Sequence, residues 1–214
     1  MHPIKLSYTP AALDADSIAV AGTVGTSGVA FVLNAAFIAA GYDFDDGLAH
    51  TFTIAPSGSV SGNYSITGTD ANDVAQTETL ATNTTNTVTS AKYYKTVTSI
   101  LAPSGIAAET VTIGHTGVSV SPMLPLNWRI GLAGEAFATS LALLITGTIS
   151  VTVQHTFDGL HGEYASALTW WPHSSLVTKT ASADGNYAFP ITATRLLINS
   201  VTAGATVAFF VVQG

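Results

Sequence analysis

The chain has 214 residues, enough to bury one large core or two small ones, and it contains no cysteine, which excludes disulfide staples, thiolate metal sites and a cysteine nucleophile. Only 9% of the residues are charged, against about a quarter in ordinary soluble domains, and 13 carboxylates outweigh 6 Lys and Arg to give a net charge of -7. That balance argues against neutralising nucleic-acid phosphates or lying on anionic lipid, and a surface of Thr, Ser and Ala is one that neighbouring subunits can cover.

Taken in chain order, Met1 to Asp16 lacks the basic start of a secretory signal, so no export signal is expected. Ser17 to Tyr42 carries no charge up to its end, but Gly22, Gly25, Gly28, Asn34 and Gly41 and a reliance on Ala argue against a membrane-spanning helix. Within it, Val29 to Ala40 could be helical by its Ala content, with a strand expected ahead of a helix. Apolar residues then alternate with Thr or Ser at period two in Thr51 to Ile54, Tyr64 to Thr69, Thr96 to Leu101 and Thr110 to Ile113. Gly114 to Leu126, with Gly117, Pro122 and Pro125, is expected to be a connector, because proline donates nothing to a sheet ladder. Trp128 to Ile145 is expected as strand, since Gly131 and Gly134 interrupt any helix. The clearest strand is Thr148 to Asp158, with Ile149, Val151, Val153, His155 and Phe157 on one face. Arg195 to Val201 and Ala205 to Gln213 close the chain in the same style. Turns are expected at Asp46-Gly47, Pro56-Ser57-Gly58, Ser61-Gly62-Asn63, Pro103-Ser104-Gly105, Asp184-Gly185-Asn186 and Ala203-Gly204.

This pattern predicts an all-β fold of two β-sandwich domains in tandem, jelly-roll or Ig-like, over residues 1–120 and 121–214.

No catalytic set stands out. Gly58 to Gly62 has Val60 where a nucleophile elbow needs serine, and there is no phosphate-binding Gly-x-x-x-x-Gly-Lys loop. His155 and Asp158 fall on opposite faces of a strand. His155, His161 and His173 match no zinc spacing. Asp43, Asp45 and Asp46 in Asp-Phe-Asp-Asp-Gly resemble the opening of a calcium loop, as does Asp70-Ala-Asn-Asp73, but turn-forming side chains account for both, and Asp43, Asp45 and Asp46 are the metal candidates if an ion binds. Trp170, Trp171, His173 and Tyr164 are the interface candidates, and Trp170, Trp171, Tyr164 and Tyr187 together could stack on a sugar. No cofactor is expected.

Several stretches carry a family likeness: Thr152-Val-Gln-His-Thr-Phe-Asp158, Trp170-Trp-Pro-His173, Ala183-Asp-Gly-Asn-Tyr-Ala-Phe-Pro-Ile191 and Arg195-Leu196, preceded by Ile66-Thr-Gly-Thr-Asp70, Gln76-Thr-Glu-Thr79, Lys92 to Ile100 and Val111-Thr-Ile-Gly114. Over residues 64–214 the chain resembles a recurrent two-domain structural protein of tailed bacteriophages, often short-tailed ones. The resemblance implies a non-enzymatic virion component with β-sandwich domains, present in many copies and with no catalytic residues to carry over; with the low charge, the leading expectation is a capsid decoration or cement protein assembled in the host cytoplasm. It would be a homo-oligomer, a trimer by preference, bound to the major capsid protein or other virion proteins, with no nucleic acid and no membrane as partner. The alternatives are a tail, collar or head-tail adaptor or fibre-base component and, from another class, a glycan-binding adhesion module.

Overall fold

A computed structural model describes residues 3–22, 29–58, 60–83, 87–103, 109–127, 137–160 and 168–213. Its elements are β1 Ile4–Tyr8, β2 Asp14–Gly22, α1 Ala35–Ala39, β3 Ala49–Pro56, β4 Ser61–Thr69, β5 Ala75–Asn83, β6 Val88–Thr89, β7 Thr96–Leu101 and β8 Val111–Val120. They continue with β9 Leu124–Pro125, β10 Thr139–Thr146, β11 Ile149–Thr156, β12 Trp171–Pro172, β13 Ala183–Tyr187, β14 Ala193–Val201 and β15 Thr206–Gln213. The fold is all-β with several antiparallel sheets, and no helix among the described residues is long and apolar enough to cross a membrane.

Contacts divide the chain into two compact units, residues 12–119 and residues 1–11 with 120–214. The first eleven residues, expected to belong with 1–120, instead group with the C-terminal part. β1 pairs along its whole length with β15, from Ile4 opposite Val211 to Tyr8 opposite Val207. An edge strand left over by one part of the chain satisfies its backbone groups wherever a free ladder exists, however distant in sequence.

In the unit of residues 12–119, one sheet runs β5-β4-β7, while β8 lies between β2 and β3, with β6 beyond β3. Phe52 and Ile54 of β3, Tyr64 and Ile66 of β4, Val97 and Ile100 of β7, and Val111 and Ile113 of β8 are fully buried in one cluster, which makes this unit sandwich-like. Val97 and Ile100 both point inward although they are three apart, which strict alternation forbids. A bulge resolves this: Thr67 pairs with Ser99 but Gly68 with Val97, so Thr98 is extra and the parity of β7 switches there. Gly68 suits that close approach, since a methyl group on it would overlap the Thr96 carbonyl.

Two expectations are corrected in this unit. Within Val29 to Ala40 the chain forms the short helix α1 rather than a strand: the Asn34 side chain accepts the Ala36 N–H (3.1 Å), Phe37 is buried, and the helix stops at Gly41 (φ 82°). There the N–H groups of Gly41 and Tyr42 donate to Ile38 and Phe37, closing the last turn. The expected connector from Gly114 is strand as far as Val120, because β2 lies beside it, with Asp14 opposite His115.

In the other unit, one sheet has the order β1-β15-β10-β13, and β12, β11, β14 and β9 form neighbours in a second. Of the expected segment Trp128 to Ile145, residues 128–136 lie outside the described residues and Thr139–Thr146 is strand. Ile149, Val151, Val153 and His155 are buried as the alternation of β11 requires, but Phe157 lies past the strand end and is 53% exposed. Thr152 and Thr156 on the opposite face are buried as well. Asn199, extra in the bulge between Ser150 and Val151, donates from Nδ2 to Thr152 Oγ1 at 3.0 Å and helps satisfy that face.

Asp184-Gly185-Asn186 is not the expected turn but the middle of β13, paired with Ala142, Leu141 and Ser140. Gly185 serves packing instead: a methyl group there would crowd His173 and Leu176. Ser61-Gly62-Asn63 likewise opens β4 rather than turning. Gly47 and Gly204, at φ 71° and 80°, occupy turns as expected.

Candidate functional site: buried histidines and exposed aromatic rings

In the unit containing β10–β15, the strands gather His155, His173, Tyr187, Phe157 and Phe189. Tyr187 on β13 reaches across to β11, where its hydroxyl stands 3.1 Å from His155 Nδ1, and its ring packs against both imidazoles at centroid distances of 4.9 and 4.7 Å. His173 Nδ1 accepts from the N–H groups of Ser175 (3.1 Å) and Leu176 (3.2 Å), which leaves the proton on Nε2 to donate to the Asn186 carbonyl at 3.2 Å. Both nitrogens of His173 are therefore committed to holding a loop against β13. This interface candidate is 3% exposed and serves as an internal staple.

The remaining sequence candidates separate. Trp170 is half-buried with the Arg195 guanidinium 4.1 Å over its ring, and Arg195 is held in turn by Gln154 Oε1 at 2.8 Å. Trp171, its neighbour, is 53% exposed. Tyr187 is buried and offers no platform to a sugar. Tyr164 and His161 lie outside the described residues. His155 and Asp158 do not meet: His155 turns inward, while Asp158 Oδ2 accepts the Thr169 N–H at 2.5 Å.

The acidic turns hold themselves. Asp43 Oδ1 accepts the Phe44 N–H (2.6 Å), Asp46 Oδ1 accepts the Leu48 N–H (3.0 Å) and Asp46 Oδ2 faces His50 Nε2 at 2.8 Å, while Asp45 is exposed at φ 60°. Burial pushes the Asp43 carboxyl above its usual range. Asp70 Oδ1 accepts from both Asn72 and Val74, and Asp73 pairs with Lys95 at 2.8 Å. Among the described residues no three His, Asp or Glu converge in a metal-holding group, so Asp43, Asp45 and Asp46 do not meet as the calcium candidates would.

Sequence reading missed His50 and His115, whose rings lie 4.8 Å apart beside Phe44. Only the pairing of β3, β8 and the 43–47 turn brings them together. The histidine adjoining the Asp-Gly turn is the single local hint.

Burial lowers the basicity of His155, helped by the nearby His173, and burial likewise lowers that of His115, with His50 adding and Thr116, Asp14 and Asp46 opposing. A histidine whose folded pKa lies below its unfolded value of about 6.5 contributes stability that is complete above that pH. The contribution drains away as pH falls from there through the folded value. Thermal melts should therefore lose roughly 3–8 °C between pH 7.5 and 5.5. Replacing His155 and His115 with Gln should flatten that slope, and an unchanged slope would refute the assignment.

No protein-family model matches the chain, and no curated protein matches it with significance.

Proposed function

We propose that this chain is a structural protein of a tailed-phage virion, foremost a capsid decoration or cement protein that stabilises the head. The observation that carries the reading is where the exposed apolar area lies on a chain with so few charges. Phe157 (53% exposed) and Phe189 (46%) stand with ring centroids 5.9 Å apart, and Phe157 borders a hollow lined by Met123, Pro125, Leu126 and Leu160. Apolar patches rimmed by uncharged polar residues suit docking onto another protein. Among the described residues the histidines and most of the acidic side chains, by contrast, are engaged in internal bonds or ring contacts rather than aimed into a cleft. A lattice contact repeated many times can be weak singly and strong collectively.

Quantitative mass spectrometry and a particle map test this placement. Copy numbers in the hundreds with density on the shell are expected, whereas about six or twelve copies on the tail axis would favour the adaptor, collar or fibre-base reading. Particles lacking the protein should rupture at lower temperature or milder osmotic shock, and adding the purified chain back should restore them. Unchanged resistance would count against cementing. Exposed Trp171 favours the glycan-binding alternative, which predicts that Trp171→Ala abolishes particle binding to a glycan array. Silence of intact particles on such an array would remove that alternative.

A further inference from the structure

The sheet β1-β15-β10-β13 has a second face, turned away from Leu141, Leu143, Phe209 and Val211. Its residues follow from the register. One row reads Lys5, Phe210, Ala142, Asp184 from edge to edge. On one side lies the row Ser7, Ala208, Leu144, and on the other Val212, Ser140, Asn186. Leu144 is 54% exposed, Val212 37%, and Phe210 is half-buried. The charges sit only on the flanking strands, a cation at the β1 edge and a carboxylate at the β13 edge. Neither Lys5 nor Asp184 has an ion pair among the described residues, although Lys5 Nζ lies 5.5 Å from the Phe210 ring centroid.

We infer that this face packs against the same face of a second copy about a two-fold axis running along the strands between β15 and β10. That operation exchanges the two halves of every row. Lys5 of each copy falls opposite Asp184 of the other, making two equivalent ion pairs. In the same step Phe210 meets Ala142, Leu144 meets Ala208 and Val212 meets Ser140, so each large side chain faces a small one. The surface already has the matching relief: one hollow is lined by Ser140, Ala142, Gly185 and Asn186, and another by Ser7, Leu144 and Ala208. Sheets stacked in this way keep their strands within about 30° of each other at a spacing of about 10 Å, as in a sandwich.

The size of the face sets the strength. Four strands at a spacing of about 4.8 Å are about 19 Å wide. Strands β10 and β15 have eight residues each, a length of about 27 Å. Strands β1 and β13 have five residues each, about 17 Å, so pairing buries about 850 Å² over both copies, in the range of weak, transient contacts. A contact of this size is a weak one, strengthened where copies are held together on a larger assembly.

Sedimentation of the full chain between about 1 and 100 µM tests the pairing. A reversible monomer-dimer equilibrium is expected. Lys5→Asp and Asp184→Lys should each weaken it at least about tenfold, because each sets two pairs of like charges face to face. The double variant should return to within about threefold of the parent, since the exchange restores both pairs. Leu144→Glu should abolish dimers, and if that variant failed to fold, the two charge exchanges on exposed residues would still decide. A chain that stays monomeric throughout overturns the inference, as does an oligomer indifferent to these substitutions or a double variant no better than the singles. So would cross-linking that places a different virion protein on this face of a monomeric chain. A chain that dimerises through this face yet is missing from virions leaves the pairing standing and removes the virion reading. A virion component that sediments as a monomer does the reverse.

Discussion

Val153→Asp should abolish cooperative folding of the unit formed by residues 1–11 and 120–214. Val153 is fully buried in β11, opposite Leu196 of β14, and its N–H and carbonyl are bonded to Leu176 and His173 at 2.9 Å each. Burying a valine contributes about 1.5–3 kcal/mol, and placing a carboxylate there adds a desolvation cost of several kcal/mol, with no cation facing the site among the described contacts. Against a typical domain stability of about 5–15 kcal/mol, that sum removes most or all of the folded state. Near-ultraviolet circular dichroism and calorimetry should show the loss of a melting transition. Ser200→Asp, on an exposed position of β14, should shift stability by less than about 0.5 kcal/mol. Soluble Val153→Asp protein with an unchanged transition would mean that the faces of β11 are reversed.

Gly114→Ala should destabilise the unit of residues 12–119 by about 2–4 kcal/mol. Strands β2 and β8 approach so closely at this point that a methyl group on Gly114 would overlap the Asp14 carbonyl oxygen and the carbonyl group of Ala15. The clash is with backbone, which cannot rotate aside as a side chain can, so β2 must lift and give up part of its ladder. Urea titration gives the value through the shift in midpoint. Gly159→Ala is the matched control: nothing lies within 4 Å of the added atom and its φ is not in the left-handed region, so the substitution should be neutral or slightly stabilising. Equal effects at the two glycines would show that loss of backbone freedom, rather than the close approach of β2, governs both.

Much of the strand grammar was legible from residue order, because alternation is a property of neighbours. Thr96–Leu101 is a strand over the expected span, and Ile149, Val151, Val153 and His155 share the buried side anticipated for them. The candidate site was less legible. His173 and Trp170 were singled out as interface candidates, yet one is held by the Ser175 and Leu176 amides and the other lies beneath Arg195, a partner 25 positions away that no local pattern announces. Asp184-Gly185-Asn186 has turn composition, but the ladder with β10 and the space beside His173 draw it into a strand.

The sequence alone determined that the backbone would form antiparallel sheets, where several of the turns would fall, and that the surface would be poor in charge. Composition and period-two alternation act within a few residues and need no partner to be read. The tertiary structure alone decided that β1 would close against β15, that bulges at Thr98 and Asn199 would switch strand parity, and that Lys5, Phe210, Ala142 and Asp184 would share a row. Each depends on which ladder a distant strand finds unfilled, and hydrogen-bonding backbone is the same at every residue, so its choice of partner is settled by packing across the whole unit.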